Sequence, residues 1–238
     1  MQYPHIESAI FVSRPNRFIA TVEVAGETLN VHVKNTGRCK ELLVPGCTVY
    51  LARSGNPARK TPYDLIAVEK ICNNGKKRLI NMDSQVVNDI AEEWLEQGGN
   101  GCHYDVIRRE VCYGKSRFDF YLEKGKQKIF LEVKGVTLEN NGIVSFPDAP
   151  TERGVKHINE LMSCLDDGYE AGILFVIQMQ DVTEMQPNDK THAAFGKALR
   201  EAAQKGVQIR AVDCIVTPYS ISIRQAVPVN LQSQSCSG

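Results

Sequence analysis

Ala171-Gly-Ile-Leu-Phe-Val-Ile is a nearly continuous apolar run. Such a strand has no polar face to offer water, so it belongs in a sheet covered on both sides. The surrounding sequence supplies the covering layers. A helix starts near Thr151 and carries Ile158, Leu161, Met162 and Leu165 on one face. Another spans roughly Asp189 to Lys205, stops at Gly206 and leads into a strand from Val207. Upstream, Asp83 or Ser84 can cap a helix running to about Glu96, with Val86, Val87, Ile90, Trp94 and Leu95 on one side and Gly98, Gly99 and Gly101 ending it. Val106–Cys112, Phe118–Leu122 and Lys128–Val133 read as strands, with Gly125 turning between the last two. This order predicts an α/β domain with a mixed sheet over residues 83–238.

Residues 1–82 are written in a different style. Phe18–Val24 and Thr28–Val33 partly alternate apolar and polar residues, with Gly26 between them as a hairpin requires. Pro45-Gly46, Asn56-Pro57 and Gly75 separate three further runs, Thr48–Ala52, Leu65–Ile71 and Arg78–Asn81. Five short strands with turn signals between them imply a small barrel or sandwich. The tail after Leu231 is Ser/Gln-rich and reads as a frayed end.

The formal net charge is zero, yet residues 1–82 hold 12 Lys/Arg against 6 Asp/Glu and the remainder is acidic by the same excess. A basic module next to an acidic one suggests different partners, and the basic one attracts phosphates. No stretch approaches the length of a membrane span, and Met1–Phe11 does not read as a signal peptide. Among the eight cysteines no two form a C-x-x-C pair, and no Cys/His cluster has zinc-finger spacing, so the expectation is reduced thiols in a cytoplasmic protein.

The chemistry concentrates between residues 108 and 160. Asp119 lies within Arg117-Phe-Asp-Phe-Tyr-Leu, and across the hairpin follows Phe130-Leu-Glu-Val-Lys-Gly. Side chains alternate along a strand, so Glu132 and Lys134 share a face while Leu131 and Val133 take the other. Two carboxylates side by side need a cation or a shared proton. Mg²⁺, which takes one or two carboxylates and keeps several waters, suits Asp119 and Glu132, with Mn²⁺ as a substitute. Lys134 can then serve the water and the phosphate charge. Glu110 is a candidate third acid, or else a surface partner of Arg108 or Arg109. An Asp, a hairpin and Glu-x-Lys resemble the core of the PD-(D/E)XK nuclease pattern, although Phe118 stands where that pattern often has Pro. Arg153, Lys156 and His157 sit three and four residues apart at a helix start, a phosphate-contact arrangement, or else a solvated face with His157 in the core.

The whole chain from about Phe11 to about Leu231 resembles the sugar fermentation stimulation protein A family. The resemblance is carried by Arg17-Phe, Asn35-Thr-Gly, Leu43-Val-Pro-Gly and Asn56-Pro-Ala-Arg-Lys-Thr-Pro-Tyr in the first part. Ser116-Arg-Phe-Asp-Phe, Leu131-Glu-Val-Lys-Gly-Val-Thr-Leu, Phe146-Pro-Asp-Ala, Thr151-Glu-Arg-Gly-Val-Lys-His and Glu160-Leu-Met carry it in the second. It implies a two-domain α+β/α/β protein: an OB-like five-stranded barrel, then a PD-(D/E)XK nuclease-like domain whose mixed sheet is flanked by helices. It implies sequence-non-specific DNA binding, with Asp119, Glu132 and Lys134 at the nuclease-like centre, and the family name points to a regulatory role in sugar (maltose) metabolism. OB barrels bind single strands by a basic groove and stacking aromatics. The expected nucleic-acid contacts are Arg14, Arg17, Lys34, Asn35, Arg38, Arg59 and Lys60 in the barrel, and Arg117, Arg153, Lys156 and His157 beyond it. Asn35-Thr36-Gly37 reads as a tight turn, Tyr50 and Tyr63 as stacking candidates, and Phe18 mainly as core. The readings to be separated are a Mg²⁺-dependent DNA nuclease, a non-catalytic DNA-binding regulator, and RNA processing by the same site.

Overall fold

In the computed structural model, the described residues are 1–232 apart from Thr36, Pro57 and Asn74, with the backbone alone for Asn100. The Ser/Gln-rich tail with Cys236, the middle residue of the Asn35-Thr36-Gly37 turn and Pro57 of the Asn56-Pro57 break lie outside them.

Six strands precede residue 82: β1 (Ile6–Ser13), β2 (Ile19–Val24), β3 (Glu27–Val33), β4 (Thr48–Arg53), β5 (Tyr63–Ile71) and β6 (Lys77–Asn81). Neighbours run antiparallel in the order β3-β2-β1-β4-β5-β6. A parallel pairing of β3 with β5, His32 opposite Asp64 and Val33 opposite Leu65, closes the first five into an OB barrel. Ala20, Val22, Val31, Val49, Leu51 and Leu65 fill its interior, all fully buried. The barrel therefore uses β1, which the sequence reading lacks, and β6 is an appendage on β5. The cause is visible in β1 itself: Phe11 points inward, but Ile10 and Val12 are 43% and 41% exposed on the outer side, so apolar residues occupy both faces and erase the alternation. Phe18 is also corrected. It is 54% exposed, on the turn before β2, and is no part of the core.

The second domain runs α1 (Val86–Glu96), β7 (Val106–Tyr113), β8 (Ser116–Lys124), β9 (Gln127–Val136), β10 (Glu139–Asn140), β11 (Ile143–Phe146), α2 (Glu152–Asp166), β12 (Glu170–Ile177), β13 (Glu184–Pro187), α3 (Asp189–Lys205), β14 (Gln208–Thr217) and β15 (Ser220–Val227). Its main sheet has the order β15-β14-β12-β9-β8-β7. β12 is parallel to β9 and β14, and the remaining pairs are antiparallel. The apolar run is β12, in the interior of the sheet and buried from Ala171 to Ile177. α1 covers one face, where Val87 and Ile90 meet Val133 and Leu174. α2 and α3 cover the other, where Leu161 and Leu199 join Phe118, Phe130 and Phe175.

The helix ends follow their chemistry. Thr151 Oγ1 accepts the Gly154 N–H at 3.0 Å and caps α2. Gly206, at φ 112°, ends α3. α1 departs from expectation: its cap is Gln85, and Asp83 instead accepts the Gln85 N–H at 2.9 Å. Glu139 ties the domains together, its buried carboxylate lying 2.6 Å from both Lys70 Nζ of β5 and Arg78 Nη1 of β6. Among the described residues every cysteine is free, and no helix is long and apolar enough to cross a membrane.

Candidate metal and nucleic-acid site

β8 and β9 pair antiparallel as far as Phe120 opposite Leu131. Asp119 and Glu132 occupy the next step. There the ladder ends because Asp119 Oδ2 accepts the Val133 N–H at 2.7 Å. Asn88 of α1 donates to Asp119 Oδ1 at 2.9 Å, so both oxygens are anchored yet keep free lone pairs. Lys134 ion-pairs with Glu132 Oε1 along the same strand face, as the alternation requires.

Glu132 is 3% exposed. Its Oε1 accepts Nδ1–H of His157 at 2.6 Å, while His157 Nε2 accepts from Arg153 Nε at 3.3 Å. The second acceptance puts the imidazole proton on Nδ1. Glu132 Oε2 is buried with no hydrogen-bond partner. Burial pushes the Glu132 carboxyl up, but the His157 hydrogen bond and the Lys134 charge outweigh it and hold it below its ordinary range. Asp119 goes the other way. Burial first, then repulsion from Glu132, raise it against the Val133 N–H, Lys134 and Asn88.

An orphaned carboxylate oxygen beside a second, raised carboxylate is a donor set that fits a hard divalent cation. Among the described residues no three His, Cys, Asp or Glu form a metal-holding group, so the fit is to an ion that keeps several waters. Glu110 is not brought into such a group. It adopts φ 57° in β7 and bonds Arg117 Nε at 2.7 Å on the exposed surface.

The remaining cations sort into three kinds: neutralised, bracing and exposed. Lys34 and Arg59 are neutralised: Arg59 grips the buried Asp64 with both terminal nitrogens, at 2.7 and 3.1 Å, and Lys34 lies 3.3 Å from Asp83 and 3.5 Å from Asp64. Arg14 is a brace. Its guanidinium donates to the carbonyls of Arg17, Asn35, Gly37 and Arg38 at 2.6–2.9 Å. Asn35 is buried and accepts the Gly37 N–H through its side chain at 2.8 Å, so it builds the turn. His157 is buried against Glu132, away from a phosphate-facing surface. Tyr50 and Tyr63 are half-buried and bond Glu69 and Glu7. Arg17, Arg38, Lys60, Arg117, Arg153 and Lys156 remain exposed. Arg17 and Arg38 line a cleft of 420 Å³ with Lys40, facing Ala149 and Pro150 of the loop before α2. Lys40, Asn88 and the brace role of Arg14 escaped the sequence reading. Each depends on contacts between distant segments and leaves no local pattern.

A closed OB barrel followed by a helix-covered mixed sheet, with its paired acids at one strand junction, defines a two-domain protein of OB-barrel and α/β build. Sequence profiles agree: the SfsA N-terminal OB domain matches residues 12–81, and the sugar fermentation stimulation protein RE domain matches residues 85–220. The chain belongs to the sugar fermentation stimulation protein family. Homologues bearing that name from Clostridium beijerinckii and Ruminiclostridium cellulolyticum are 53% and 54% identical, each over 97% of this chain and 100% of the relative. The solved structure of Pyrococcus furiosus SfsA in complex with Ca²⁺ is 29% identical with a TM-score of 0.82, over 97% of this chain and 98% of that one.

Proposed function

We propose that the protein is a divalent-metal-dependent phosphodiesterase acting on DNA, with Asp119 and Glu132 as metal ligands. The observation that carries the reading is the buried, partnerless Oε2 of Glu132, a carboxylate that repels Asp119 and whose other oxygen pairs with Lys134. The complex of the Pyrococcus furiosus relative with Ca²⁺, another oxygen-liganded cation, supports it.

A bound Mg²⁺ or Mn²⁺ would acidify a water and offset phosphate charge. The chain's own groups do the rest. Val133 N–H and Asn88 fix the Asp119 carboxylate, and His157 fixes the rotamer of Glu132 so that Oε2 is presented. Lys134, already paired with Glu132, supplies a positive charge where a phosphate oxygen would gain negative charge. Arg153 and Lys156 stand exposed on the helix that carries His157 and can hold the flanking phosphates.

A second reading, a DNA-binding regulator in sugar metabolism without cleavage, draws on Glu132 Oε1, which the Lys134 ion pair and the His157 hydrogen bond satisfy without any metal. Incubating wild type and Glu132→Ala with labelled DNA in Mg²⁺ or Mn²⁺ separates the two. Cleavage by wild type alone, with binding by both, establishes the hydrolase; binding by both without cleavage establishes the regulator.

A further inference from the structure

We infer that the cleft between barrel and sheet domain is a subsite for one unit of a single-stranded nucleic acid backbone, feeding the Asp119–Glu132 centre; this deepens the hydrolase reading and rests on it for the identity of the chemistry.

The cleft is assembled, and its charge is not incidental. Arg14 draws the carbonyls of Arg17, Asn35, Gly37 and Arg38 onto one guanidinium. With the main chain of both loops turned toward Arg14, the side chains of Arg17 and Arg38 are left exposed beside Lys40. None of the three has an acidic partner among the described residues, whereas Lys34 and Arg59 in the same barrel are consumed by Asp64 and Asp83. The sheet domain forms the other wall through Ala149 and Pro150. The two walls touch tightly: a Cβ on Gly37 would come within 2.3 Å of Asp148 Oδ2. Thr151, immediately after this loop, caps α2, the helix that carries Arg153 and His157. A strand leaving the cleft along this loop thus meets the helix whose His157 holds Glu132.

Two features select a single strand. The cavity, at 420 Å³, is of small-ligand size and concave, and it accepts one sugar-phosphate and base rather than a duplex wall. Phe18, 54% exposed, sits next to Arg17 on the turn whose Asn16 and Arg17 line the cleft. An exposed aromatic beside cations stacks on unpaired bases, which a duplex keeps inside its own stack.

The test is fluorescence anisotropy with labelled single-stranded DNA, single-stranded RNA and duplex DNA of equal length, across a salt series. The variants are Arg17→Ala/Arg38→Ala, Phe18→Ala, Phe18→Trp, and Lys197→Ala as a remote control. Wild type is expected to bind a single strand of either sugar more tightly than duplex. The double Arg variant is expected to bind it about tenfold more weakly, with the log–log salt slope reduced by roughly 1.4, because each phosphate contact on a single strand contributes about 0.7. Phe18→Ala is expected to lose about tenfold and Phe18→Trp to restore it. Equal or tighter binding of duplex, or unchanged affinity and slope in the double variant, overturns the subsite. Cleavage with Mg²⁺ or Mn²⁺ is read in parallel. If strand binding behaves as expected but wild type cuts nothing, the hydrolase reading falls and the subsite stands. If wild type cuts and the double variant cuts and binds equally well, the subsite falls and the hydrolase stands.

Discussion

Lys70 Nζ in the barrel lies 2.6 Å from Glu139 Oε2 in the sheet domain, and Arg78 lies as close to the other oxygen of the same buried carboxylate. Removing one partner from a buried ion pair leaves the others uncompensated, at roughly 3–5 kcal/mol. Glu139→Ala is expected to fall at the lower end of that range, because Lys70 and Arg78 keep 18% and 15% of their side chains in water. Thermal unfolding should show a drop of about 10 °C, at roughly 2–4 °C per kcal/mol for a chain of this size.

The same carboxylate makes the protein acid-sensitive. Burial pushes Glu139 up, but hydrogen bonds from Lys70 and the Gly142 N–H, with the two cationic charges, hold it below the ordinary glutamate range. The folded state therefore binds its proton more weakly than the unfolded chain. Its contribution is complete above the unfolded carboxyl value of about 4.3 and disappears as pH falls through the lower folded value. Denaturant titrations from neutral to acid pH should show stability declining over that window in wild type, and a shallower decline in Glu139→Gln.

Asp119 and Glu132 repel each other in the absence of a cation. Asp119→Asn keeps an acceptor for the Val133 N–H and removes one of the charges, so unfolding without metal should shift upward by about 1 kcal/mol. Mg²⁺ should raise the melting temperature of wild type and leave Asp119→Asn unmoved. An equal Mg²⁺ response in both proteins would remove Asp119 from the ligand set.

His157 acts on Glu132, so its loss should appear in metal binding before strand binding. His157→Ala is expected to weaken Mn²⁺ affinity about 10–100-fold, as for other groups that orient a metal ligand. His157→Asn, whose amide can reach Glu132 from the position of Nδ1, should recover part of it. Calorimetric titration with Mn²⁺ reads both, and anisotropy with single-stranded DNA should change little.

Arg59 serves the barrel. Arg59→Ala breaks a two-pronged grip on a buried aspartate and should cost roughly 1.5–3 kcal/mol in unfolding measurements. The salt slope of DNA binding should stay where it is, and a slope reduced by a full contact would return Arg59 to the nucleic-acid surface.

The elements legible in the sequence are those whose pattern is local. The β12 run, the Thr151 cap and the Gly206 stop each announce themselves within a few residues, and all three stand in the structure. β1 and β15 did not, because β1 carries Ile10 and Val12 outward and half of β15 is exposed, with Arg224 and Gln225 among those residues. Strand alternation placed Glu132 and Lys134 on one face, and the hairpin put Asp119 beside them. The partners that tune those groups, Asn88 and His157, come from helices on opposite faces of the sheet. The charge count overstated the barrel's free cations, since it cannot see that Asp64 is shared by His32, Lys34 and Arg59.

Arg14 bonds the main-chain oxygens of Arg17, Asn35, Gly37 and Arg38, not the side chains of Arg17 or Arg38. The loops thus keep their shape whatever side chains stand at those two positions. Charge, reach and stacking power there are open to change one residue at a time without refolding the barrel. The brace separates the form of the cleft from the chemistry of its wall.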